Sequence, residues 1–112
     1  MLPEERFNTL VDEFRDSPGV SVPGEPGQRG FGSNALKVHG SIFATFSGGR
    51  LVVKLPHQRV EMLIGTGVGA PFDAGKGRAM RECLTVTADD EESWLALARE
   101  AWDFVRAQRR TQ

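Results

Sequence analysis

The chain has 112 residues, 39% hydrophobic and 26% charged, with a net charge of −1 and one cysteine. That length makes one domain with a single core, and the lone Cys83 excludes an internal disulfide, which fits a reducing cytoplasm. No apolar run approaches the ~20 residues of a membrane span and no signal-like segment opens the chain, so no membrane association is expected.

Charge is unevenly spread. Residues 1–28 sum to −4, residues 29–81 to +6 and residues 82–112 to −3. Acidic ends thus bracket a basic middle. This pattern is either simple neutralisation of one segment by another or an anion-facing surface.

In chain order, Phe7, Leu10, Val11 and Phe14 follow the i, i+3, i+4, i+7 spacing of one helical face. Pro3 suits the first turn and Ser17-Pro18-Gly19 a stop. Val20 and Val22 alternate in Gly19–Pro23, a short strand that Pro23 confines to a sheet edge. Gly24–Gly32 reads as a turn-rich loop. A meander follows. With Gly48-Gly49 as a two-residue turn, Phe46 pairs with Leu51, Ala44 with Val53 and Ile42 with Leu55, all on a core face.

With His39-Gly40 as a second such turn, Leu36, Val38, Phe43 and Val52 gather on the opposite face, too apolar for open solvent. Either a bulge near Gly40 shifts the register, or that face is covered by another segment, a ligand or a second subunit. Coverage is the favoured expectation, and it makes Leu36, Phe43 and Val52 a candidate partner-contact face, in a monomer or a homodimer.

Pro56 opens a short helix with Val60, Leu63 and Ile64 inward, ended by Gly65. Met80, Leu84 and Val86 alternate as a later strand, with Glu82 on the same parity at the sheet rim or paired with an arginine. Asp89-x-x-Glu92 resembles a capping box. It starts a last helix whose broad face holds Trp94, Leu97, Ala98, Ala101, Trp102 and Val105. The order α-β-β-β-β-α-β-α, with a further strand around Phe72 as an option, predicts an α+β domain. In it an antiparallel sheet of about five strands carries helices on one face, making two layers.

Several motifs resolve into structure, not chemistry. Gly65-Thr66-Gly67-Val68-Gly69 follows a helix and opens no long one, so it reads as a helix stop and loop, not a nucleotide cradle. His39, His57 and Cys83 are scattered without ligand spacing, so no metal or cofactor is expected. No local signature marks a nucleophile or a catalytic acid–base pair, and no enzyme is expected. The glycine-basic run Gly75–Arg81 is the best contact candidate. Its glycines let backbone N–H groups approach an anion, while Lys76, Arg78 and Arg81, with Lys54 on the sheet, supply positive charge. The plain alternative is a turn whose arginines pair with acids of the last helix.

Taken together, Phe31-Gly32-Ser33, Ala35–Val38, Gly40–Ala44, Leu51–Leu55, Gly77-Arg78-x-Met80-Arg81-Glu82 and the Trp-bearing last helix resemble the MmcQ/YjbR-like proteins. They also resemble the related N-terminal domain of TfoX-type competence regulators. The likeness spans about residues 5–106. It implies a compact α+β domain related in fold to type III secretion chaperones, no assigned enzymatic activity, and the DNA binding that has been proposed for YjbR-like members. The chain lacks the C-terminal domain of TfoX proteins and the strongly basic charge of an autonomous DNA binder. The expectation is a cytoplasmic, non-enzymatic binding module, meeting a protein partner or weakly binding nucleic acid. The alternative is a small-molecule binder or enzyme with a pocket on the outer sheet face.

Overall fold

A computed structural model describes residues 2–22, 35–47, 49–73 and 79–110. Among the described residues, three helices and six strands follow in the order α1 (Pro3–Phe14), β1 (Val20–Ser21), β2 (Ala35–Val38), β3 (Ser41–Ser47), β4 (Arg50–Lys54), α2 (His57–Gly65), β5 (Gly69–Asp73), β6 (Ala79–Val86) and α3 (Glu91–Arg110). The strands form one antiparallel sheet in the order β1-β2-β3-β4-β6-β5. The fold is therefore α+β, with α3 across β2, β3 and β4, α2 under β5 and β6, and α1 against α3. The optional strand around Phe72 is present as β5, which raises the sheet from about five strands to six.

Each helix forms for readable reasons. Pro3 lies in the first turn of α1 with Glu4 and Glu5, where acids suit the positive end of the helix dipole, and Phe7, Leu10, Val11 and Phe14 are buried. In α3 the predicted face is buried at Trp94, Leu97, Ala98, Ala101 and Val105, while Trp102 is partly buried against the core. Its cap is Asp90, not the predicted Asp89: a carboxylate oxygen of Asp90 accepts the Ser93 N–H at 2.8 Å. α2 and α3 are joined by Arg59, which donates through Nε and Nη2 to the two carboxylate oxygens of Glu100 at 2.7 and 3.1 Å.

The β3–β4 hairpin has the predicted register, with Phe46 opposite Leu51 and Ala44 opposite Val53. The second turn also forms at His39-Gly40, where φ is +50° and +83° and Val38 faces Ser41, the two positive values that a tight hairpin turn of this hand needs. Between the turns the ladder slips. Leu36 faces Ala44 but Lys37 faces Ile42, so Phe43 is an extra residue on β3, a β-bulge.

That bulge settles the crowded second face. Phe43 joins Ala44 on the helix side, its ring edge-on to Phe14 at 5.2 Å, and Leu36, Val38 and Phe43 are all 0% exposed within the helix-side core. Leu36 and Phe43 are therefore core residues and not a partner-contact face. The slip also turns Ile42, predicted to be inward, to the outer face, where it is 43% exposed. Val52 does lie on the outer face, in the cross-strand row Ala35, Thr45, Val52, Thr85, Ala70. It is only 3% exposed and offers no contact surface either.

Both borders of the sheet are modest. β1 is two residues long, and β5 carries Pro71 opposite Leu84. Gly69 begins β5 where a Cβ would overlap the buried Leu84 side chain, so the strand approaches its neighbour there only as glycine.

Candidate functional site

The helix-free face of the sheet follows from pairing and parity. Val53 and Leu84 face each other in the core, so Lys54 and its partner Cys83 lie on the outer side, as do Val52 and Thr85. Two residues back along β4, Arg50 shares that side with its partner Ser47. Lys37 opposes Ile42 there, and Ser21 of β1 opposes Lys37.

Three cations thus stand on one face: Lys37 on β2, and Arg50 and Lys54 on β4. No described side chain of that face is a carboxylate. Arg50 is exposed and the two lysines are half-buried. At about 3.3 Å per residue, Arg50 and Lys54 are spaced about 13 Å along the strand, and Lys37 lies two strands away, about 10 Å across the sheet. The three form no ion pair with any described residue. A low-dielectric sheet surface with charge of one sign attracts anions over more than a contact distance.

Most of the exposed acids lie in the other layer. α1 presents exposed Glu4, Glu5, Asp12 and Glu13, and α3 presents Glu91, Glu92 and Asp103. Of the helices, α1 is net negative, with four acids against Arg6, whereas α3 balances its four acids with Arg99, Arg106, Arg109 and Arg110.

Of the predicted anion-contacting residues, Lys54 is on this face. Lys76 and Arg78 lie outside the described residues, and of Arg81 only its place in β6 is described. Lys37 and Arg50 were counted in the basic middle but not assigned to a site. Parity with Lys54 from the Gly48-Gly49 turn was enough to find Arg50; Lys37 required the bulge.

The soft ligands remain apart. His39 occupies the β2–β3 turn against Gly19, His57 meets Glu61 one turn along α2 at 3.1 Å, and Cys83 is half-buried on the outer face. Burial pushes the Cys83 thiol above its ordinary pKa, against the opposing pull of Lys54. It is thus a poor nucleophile at neutral pH. Two cavities line the α1–α3 seam, on the helix side of the molecule. No described helix is long and apolar enough to cross a membrane.

Comparison of the chain with protein-family models, with curated proteins and with solved structures finds no match.

Proposed function

We propose that the protein is a non-enzymatic binding module that takes up nucleic acid by its sugar–phosphate backbone across the helix-free sheet face. The observation that carries this reading is the gathering of Lys37, Arg50 and Lys54 on one face with no described carboxylate among them. Ser47 and Thr85 stand beside them on the same strands, and hydroxyls of this kind commonly donate to phosphate oxygens. On β3 the two aromatic side chains, Phe43 and Phe46, both turn to α1. Contacts of these cations and hydroxyls to the sugar–phosphate backbone are weak and indifferent to sequence.

A protein partner seated on an apolar outer face is the weaker reading, since Leu36 and Phe43 are core. The resemblance to MmcQ/YjbR-like proteins, which we also propose as the family, points to the same class of ligand. The unpaired Cys83 supports a reducing, cytoplasmic setting.

Titration of a labelled single-stranded oligonucleotide at several salt concentrations tests the proposal. Three phosphate contacts at about −0.7 each predict a slope near −2 in log affinity against log salt. Replacing Lys37, Arg50 and Lys54 together by Gln should flatten that slope and weaken binding to all sequences alike. No binding at low salt, or binding that the triple variant retains in full, overturns the proposal.

A further inference from the structure

We infer that the seam between α1 and α3 holds a separate site for an amino-acid-sized zwitterion with a branched apolar side chain. The larger cavity there has a volume of about 290 Å³ and is bounded by Glu13, Phe14 and Ser17 on one wall and Arg99, Trp102 and Asp103 on the other. At about 30 Å³ per water-sized group, it holds about ten heavy atoms, the size of one free amino acid and well below a nucleotide. The smaller cavity, about 70 Å³ beside Arg6 and Trp94, has room for no more than water-sized occupants.

The walls specify the chemistry. Phe14 and Trp102, with ring centroids 6.3 Å apart, give an apolar floor. Arg106 stacks on Trp102 at 4.1 Å and pairs with Asp103 at 2.7 Å, so that ring face and that carboxylate are already engaged. Glu13 and Arg99, one on each wall, pair with no described residue. One negative and one positive group therefore face the cavity without partners.

The two tryptophans differ in their indole hydrogen bonds. The Trp102 indole nitrogen is buried and donates to nothing, whereas the Trp94 indole donates to the Ala88 carbonyl oxygen at 2.7 Å. Buried donors without acceptors are costly and rare in native proteins. A ligand carboxylate accepts from Arg99, the ligand ammonium meets Glu13, and the side chain lies on Phe14 and the Trp102 ring. A ligand with one charge leaves either Glu13 or Arg99 without its counterpart. The site lies in the opposite layer from the basic sheet face and does not depend on it.

The test uses the full ¹⁵N-labelled chain, whose two tryptophans give two indole N–H signals, with Trp102→Phe to assign them. The probes are L-leucine and its single-charge analogues 3-methylbutylamine and 4-methylpentanoate. L-leucine is expected to shift the Trp102 signal saturably and leave the Trp94 signal in place, with each analogue about fivefold weaker, as a partly exposed ion pair allows. Glu13→Gln should erase the preference over 4-methylpentanoate, and Arg99→Gln the preference over 3-methylbutylamine. The inference is overturned by no saturable shift up to about 10 mM, a range that covers weak millimolar binding. An equal response to all three probes, or an equal movement of both indole signals, overturns it as well.

Discussion

At the scale of single residues, Asp90 shows how one side chain both starts an element and reports on pH. Its carboxylate accepts the Ser93 N–H at the head of α3, and that hydrogen bond holds its pKa below the ordinary carboxylate range. A carboxylate whose folded pKa is depressed stabilises the fold fully above the unfolded value of about 3.9. That contribution is lost as pH falls through the lower folded value. Asp90→Asn keeps a capping oxygen but removes the titration. Denaturant melts from pH 6 to pH 2 should therefore show a shallower acid-side loss in the variant than in the parent. Asp89 and Asp90 are chemically alike, so which of them caps was not legible from composition. The choice follows from where the chain leaving β6 turns into the helix, with the Trp94 indole anchored on Ala88.

Among the elements, β3 carries the main lesson. The β3–β4 register was legible because a two-residue glycine turn leaves one pairing that puts Ala44, Leu51 and Val53 together. The bulge was legible only as the less favoured of two explanations for the crowded face, and its place at Phe43 was not. A bulge has no residue signature comparable to a turn glycine, and it forms here because a Phe ring is better placed against Phe14 than on the outer sheet face. Phe43→Ala should therefore behave as a core truncation, lowering unfolding free energy by about 3–5 kcal/mol. A loss under about 1 kcal/mol in urea unfolding would put the ring outside the core. The face of α3 was legible for the opposite reason, since a 20-residue amphipathic helix repeats its signal many times. β5 was visible only as an option, because Gly69 and Pro71 are the residues that sequence patterns associate with loops. Its glycine is explained by the Leu84 side chain that a Cβ would strike. The basic face was half legible: Lys54 and the +6 middle were apparent, but the grouping of Lys37 with Arg50 depended on pairing in three dimensions.

For the molecule as a whole, a near-neutral net charge conceals local imbalance, a net-negative α1 in one layer and the Lys37, Arg50 and Lys54 group on the outer sheet face. Net charge therefore says little about what such a domain attracts; the layer presented to the partner decides it. The borders of the sheet bear on a different property, resistance to self-templated growth. An open sheet offers rows of unpaired backbone groups to any strand released by a neighbouring molecule, which is how fibres extend. Here one border strand is two residues long, too short to template a ladder, and the other has lost a backbone donor to Pro71. Pro71→Val should leave the cooperative melt nearly unchanged and shorten the lag before light scattering rises in concentrated, gently heated solution. If the lag does not change, the proline is not the guard on that border. A single imino acid at a strand of irregular pairing would thus set how long this small domain survives crowding without seeding aggregates of its own kind.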